Sequence, residues 1–289
     1  MLRTDVGILT GASHIRGAQV SQDYAGMKTK EGIARIAISD GCSSAGATDI
    51  GARLIVTHLL STEHPDWNSW VNDVKPHQEE DLLATAMWAE LDEKGGLCGE
   101  IIGDGYVAVC WDDGVCEYIE ISWSDNTPLY PLYLTDKKTR NIFCDKHSAN
   151  TQRALKVRVH KQLQKECYFE EKYIALDQAL RPLPITELIM PREATVEMVA
   201  LASDGVSSVK GEYGLTLFYR LTSGIRVSGN FVRRRLGFWY ARKKLVPDDD
   251  LSLAMIIRDK SKESGNEELV GKRTPNETNG FSWKILHRY

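Results

Sequence analysis

Long apolar stretches are missing from this 289-residue sequence. No run approaches the ~18 residues of a membrane span. The first residues, MLRTDVGILTG, also lack the apolar core of a signal peptide. The reading is a cytoplasmic protein without a membrane partner. A surplus of positive charge is missing too. Lys and Arg number 36 against 40 Asp and Glu, a formal net charge of −4, which argues against a dedicated nucleic-acid binder. Cysteine is sparse: six residues, scattered, with no C-x-x-C pair. That pattern offers no zinc or dithiol motif, and buried reduced thiols are expected, Cys110 and Cys116 around the turn WDDG among them. Neither a Ser-His-Asp set nor Cys-x₅-Arg stands out as nucleophilic machinery, and no internal repeat is present.

What is present is ordinary globular composition, 42% hydrophobic and 26% charged, on a chain long enough for one large domain or two small ones. GIARIAI (32–38) reads as a short buried strand. ATDIGARLIVTHLL places Ile50, Leu54, Ile55 and Leu59 at helical spacing, so a helix is expected from near Ser44–Thr48. LLATAMWAEL, CGEIIGDGYVAVCWDDG and VCEYIEISW read as strands joined by Gly-containing turns, which favour antiparallel hairpins. Leu155, Val157 and Val159 alternate with Lys156, Arg158 and His160, a half-exposed strand. VEMVALA and LSLAMII read as buried strands. GNFVRRRLGFWYARKKL is a basic helix whose Val232, Leu236, Trp239 and Tyr240 can pack inward. The class is α+β, a set of antiparallel sheets with helices packed outside. The polar residues after about 260 read as an appendage, giving a domain of 1–260 and a tail of 261–289.

Acids recur at strand ends. SDGCSS (39–44) and SDGVSS (203–208) each follow an apolar run, so Asp40 and Asp204 stand before a glycine. Asp104 lies between two apolar runs in IIGDGYVAV, Asp249 and Asp250 precede LSLAMII, and Asp23 lies in SQDYAG. Carboxylates at strand ends can converge on one rim of a sheet, where mutual repulsion raises their pKa values or demands a cation. An all-oxygen set selects hard divalent ions, Mg²⁺ or Mn²⁺. A single Asp-Gly is more often a turn than a ligand. The joint order of these sites sets them apart from isolated turns.

In that order the sequence resembles the metal-dependent Ser/Thr protein phosphatases (PPM, protein phosphatase 2C type), in their compact bacterial-type branch. The matching segments are SQDYAG, AISDGCSSAGATDIGARL, LLATAM, IIGDGYVAV, VALASDGVSSV and DDDLSLAMII, running from about residue 10 to 258. The resemblance implies a central antiparallel β-sandwich flanked by helices in four layers, α-β-β-α, with two metal ions at one end. Carried over by position, Asp40 bridges the metals and the Gly41 carbonyl binds one of them. Asp204 and Asp249 complete the set around the first metal, Asp23 serves the second ion, and Asp104 helps to hold a third. The implied activity is hydrolysis of phosphoserine and phosphothreonine in a phosphorylated protein substrate, through a hydroxide bridging the ions. No oligomeric state is implied. Residues 126–183 fall where relatives carry a flap that commonly sets substrate choice.

Three departures stand against the pattern. Where relatives carry a phosphate-gripping Arg the chain has Ala18, which leaves Arg16 as the candidate. Where they often carry Glu there is Gln22. Where many eukaryotic members place His after the first Asp-Gly there is Cys42, leaving His14, a metal-bound water or no group to protonate the leaving group. These departures motivate two alternatives: a phosphatase-fold module that binds phosphorylated partners, or a hydrolase of small phosphate esters.

Overall fold

The computed structural model describes residues 1–42, 49–67, 69–70, 83–135, 137–148, 151–163 and 166–259. The expected tail, 261–289, and the expected helix start at 44–48 lie outside these residues. Twelve strands make two antiparallel sheets: β1 (Leu2–Leu9), β2 (Tyr24–Lys30), β3 (Ile33–Ser39), β4 (Ala86–Asp92), β5 (Leu97–Ile102), β6 (Gly105–Trp111), β7 (Val115–Trp123), β8 (Leu155–Leu163), β9 (Glu166–Ile174), β10 (Leu183–Pro184), β11 (Val196–Ala202) and β12 (Leu251–Arg258). One sheet runs β1-β12-β11-β6-β7-β8-β9, the other β10-β5-β4-β3-β2. The sheets pack face to face, with β12 and β11 against β3 and β4.

The apolar runs read as continuous because their strands are buried on both faces. On β6, Val107 and Val109 enter the core between the sheets, while Tyr106 and Ala108 enter a second core beneath the helices Gly214–Thr222 and Phe231–Lys243. β11 divides in the same way, Val199 and Leu201 on one side and Met198, Ala200 and Ala202 on the other. Side chains alternate across a strand, so covering both sides needs apolar residues at every position. On the far face, the helix Ile50–Ser61 buries Ala52, Ile55, Val56 and Leu59 at i, i+3, i+4 and i+7 over β2 and β3. Ile55, Val56 and Leu59 each add about 1.5–3 kcal/mol on burial. The expected four-layer α+β sandwich is the observed one.

Several features differ from the sequence reading. Cys110 and Cys116 form a disulfide; the hairpin turn between them sets the two residues directly opposite in the β6–β7 register, where their side chains meet. Much of 126–183 is regular structure, since β8 and β9 form a hairpin that extends the larger sheet. Tyr240, expected to pack inward, is 40% exposed. The basic helix is fastened from a distance: its own Asn230 makes no side-chain cap, and the Val232 N–H donates to Asp5 Oδ2 at 2.6 Å. A buried carboxylate from β1 thus caps the helix N-terminus.

Candidate metal centre

One end of the sandwich gathers the ends of β3, β5 and β11 and the starts of β2, β6 and β12. This brings together five of the acids singled out in the sequence. The serines of the two SDG corners do the local fixing. Ser39 is fully buried and its hydroxyl donates to the Thr85 carbonyl, while the Asp40 N–H donates to Thr85 Oγ1 at 3.0 Å. Ser203 donates to Asp23 Oδ2 at 2.7 Å and accepts the Ser252 N–H at 2.9 Å, so one hydroxyl joins β11, β12 and the Asp23 segment. Ser208 accepts the Asp249 N–H and donates to the Gly205 carbonyl.

The glycines of the corners are steric necessities. A Cβ on Gly205 would stand 1.8 Å from the Asp250 carbonyl oxygen, and one on Gly41 2.9 Å from that of Gln22. No larger residue lets these strand ends approach so closely.

Asp23 and Asp104 are buried, whereas Asp40 and Asp204 keep part of their surface accessible. Burial is the main cause that raises all four carboxyls above the usual range. Asp23 is pushed up to about 8, with Asp250 and Asp204 adding repulsion and the Ser203 hydroxyl opposing it. Asp40 is raised further by the charges of Asp23 and Asp204, Asp104 by that of Asp204, and Asp204 by that of Asp249. None of the four forms an ion pair with a described cation, and the buried Asp23 Oδ1 receives no donor except the neighbouring Asp40 carboxyl. Mutually repelling carboxyls with no compensating cation among the described residues are what a hard divalent ion satisfies. The residues therefore fit such an ion.

A neighbouring set behaves differently. His14, Asp249 and Asp250 offer ligand atoms within 4.8 Å of one another. Yet Asp250 is already satisfied: Oδ1 accepts the Gly11 N–H at 2.6 Å, Oδ2 accepts the Gln22 N–H at 2.5 Å, and His14 Nδ1 lies 2.8 Å from Oδ2. A cation there would have to displace these partners, so Asp250 is read as a clasp and Asp249 as the ligand candidate.

Arg16 lies apart from the buried acids. It is exposed at the rim and pairs with Asp248 at 3.0 Å. Tyr130 was not foreseen from the sequence. Burial drives its pKa far up, and its hydroxyl stands against Cys42, close enough to feel Asp104 and Asp40.

Comparison with known proteins agrees with this architecture. A family model described as protein phosphatase 2C matches residues 10–65, the part that carries Asp23, Asp40 and the helix Ile50–Ser61. The solved structure of serine/threonine phosphatase Stp1 from Staphylococcus aureus aligns at 12% identity with a TM-score of 0.51, over 90% of this chain and 96% of that one. A bacterial serine phosphatase bearing an arginine-to-lysine mutation aligns at 13% identity with a TM-score of 0.50, over 89% and 98%. No curated protein is matched by the sequence. The chain is thus similar to the bacterial-type metal-dependent protein phosphatases in fold and in its N-terminal motif region. Among the described residues no helix is long and apolar enough to cross a membrane.

Proposed function

We propose that this chain is a metal-dependent phosphatase acting on phosphoserine and phosphothreonine in proteins. The observation that carries the reading is the convergence of Asp23, Asp40, Asp104 and Asp204 at one end of the sandwich without a compensating cation. Asp40, the Gly41 carbonyl, Asp204 and Asp249 would hold a first Mg²⁺ or Mn²⁺, with Asp23 serving a second and Asp104 a third. Ions so held lower the pKa of water and offset charge on a phosphoryl group. The chain's own work is positional. Ser203 orients the Asp23 carboxylate, Ser39 fixes the corner that presents Asp40, and the Asp250 clasp keeps the 11–22 segment seated on β12. Arg16, held at the rim by Asp248, is the group that can swing to a substrate phosphate.

That same resting pair favours a second reading, a module that binds phosphorylated partners without turning them over. One assay separates the two: phosphate release from a phosphothreonine peptide with Mn²⁺, with Mg²⁺ and with chelator. The expected result is metal-dependent turnover that falls more than ~100-fold in Asp204→Asn, with Arg16→Ala raising KM more than it lowers kcat. A folded, Mn²⁺-binding protein without turnover would replace the enzyme with the binding module.

A further inference from the structure

Charge is distributed unevenly along this mildly acidic chain. Between Glu212 and Asp248 there is no acidic residue and there are eight basic ones. Most of them lie on or beside the helix Phe231–Lys243. Its buried stripe is short, Phe231, Val232 and Leu236. The opposite face exposes Arg234, Phe238 and Arg242 at four-residue spacing, a line of cation, aromatic and cation about 12 Å long. Phe238 is 48% exposed and Tyr240 40%. No described acid pairs with Arg233, Arg234, Arg242, Lys243 or Lys244.

Helix chemistry alone does not account for this face. Arg242 and Lys243 at the C-terminal end suit the helix dipole, but Arg233 and Arg234 stand in the first turn, where the dipole disfavours cations and the buried Asp5 is engaged in capping the Val232 N–H; the two arginines donate to the Val6 and Arg226 carbonyls and to Ser228 rather than to an acid. A local rule broken on an exposed face, beside an exposed aromatic ring, points outward to a partner.

The helix also runs toward the acid-lined end. It starts beside Asp5, passes Gly7 under Leu236, and brings Trp239 and Leu245 to Leu9. Lys244 turns the chain in the left-handed conformation, and the Pro247 carbonyl accepts the Ala12 N–H just before Asp248–Asp250. Asp249 lies five positions after Lys244, at most about 18 Å of extended chain.

We propose that the exposed face of the helix Phe231–Lys243 docks an acidic segment of the phosphoprotein substrate. This deepens, and rests on, the phosphatase reading of the acid-lined end. An extended substrate with its phosphorylated residue at that end reaches Arg242 and Arg234 about five to nine residues away. The matching extended segment carries two acids four positions apart with an apolar residue midway, three side chains on one face spanning about 13 Å, complementary to Arg234, Phe238 and Arg242. A nucleic acid fits less well, since its continuous negative charge would run into Asp248, Asp249 and the carboxylate cluster.

The test uses phosphothreonine peptides with a Glu-Ala-Leu-Ala-Glu segment about seven residues to either side, and Gln-Ala-Leu-Ala-Gln controls. Wild type is compared with the double variants Arg234→Glu/Arg242→Glu and Arg234→Lys/Arg242→Lys in the presence of Mn²⁺. In one of the two directions the acidic peptide is expected to show roughly tenfold higher kcat/KM at low salt, an advantage that shrinks at high salt. The Glu variant should lose it and the Lys variant keep it, with the control peptide turned over alike by all three. Equal kcat/KM for acidic and control peptides in wild type, or a preference that survives in the Glu variant, would overturn the proposal. Fluorescence anisotropy of the unphosphorylated acidic peptide reads docking without catalysis. Binding lost in the Glu variant upholds the surface even if no peptide is hydrolysed, whereas no binding in wild type overturns it. A single-stranded oligonucleotide that binds more than tenfold tighter would reassign the face to nucleic acid.

Discussion

Asp250 and Asp23 are neighbours at the same end of the sandwich, each only 2% exposed, yet they are built for opposite purposes. Asp250 receives two backbone N–H groups, with the His14 ring 2.8 Å away, so its charge is compensated by N–H donors from the 11–22 segment. Asp23 has one hydroxyl on one oxygen and otherwise faces acids. Burial alone does not mark a functional carboxylate. What separates the two is the supply of donors: a satisfied acid closes the fold, and an unsatisfied cluster stores repulsion that a cation can relieve.

Mutations can break this contrast. Removing the clasp with Asp250→Ala leaves buried N–H groups and His14 without their acceptor, and a loss of about 3 kcal/mol of stability is expected, read as a drop in denaturation midpoint. Asp40→Asn should do the reverse to the metal-free protein, raising its stability by about 1–2 kcal/mol as a carboxyl that folding must keep protonated among its neighbours is replaced by a neutral amide. The same variant should lose metal-dependent stabilisation, which melts with and without Mn²⁺ will show.

A smaller effect sharpens the contrast through pH. The cluster acids have folded-state pKa values raised above 3.8, Asp23 to about 8, so the folded state holds protons that the unfolded chain has released. Stability of the metal-free protein therefore falls as pH rises from about 4 to about 8. Bound divalent ion should remove most of that slope. Thermal melts at pH 5, 6, 7 and 8 with chelator or Mn²⁺ measure it; a flat chelator series would show that the acids do not crowd as described.

The parts of this molecule that are buried on two faces were readable from sequence, because β3, β6, β11 and β12 are apolar at most positions, with Arg35, Glu197 and Ser252 among the exceptions. The helix Ile50–Ser61 was readable from its spacing, and the two SDG corners from their shared grammar. β1 was not, since LRTDVGIL hides a buried acid whose partner, the Val232 N–H, lies 227 residues away. β9, with the sequence ECYFEEKYI, is an edge strand paired on one side, and its charges mask its period. Asp249 and Asp250 look alike in the string DDD; the resemblance singled out Asp249 by position, and the backbone donors around Asp250 mark that residue as the clasp. Tyr130 gave no signal at all, because its approach to Cys42 depends on how the loop after β7 packs. The disulfide had its signal in the two cysteines flanking WDDG; what decided it was the hairpin register.

The last described strand has a consequence for how the protein comes into being. β12 lies between β1 and β11, and its first residues supply Asp249 and Asp250. On a ribosome adding about 5–20 residues each second, Asp40 waits some ten to forty seconds for the strand that completes its surroundings. During that interval the nascent chain has its first acids and no clasp, and the edges of β1 and β11 are bare. Synthesis of β12 is therefore the step that lets the centre assemble.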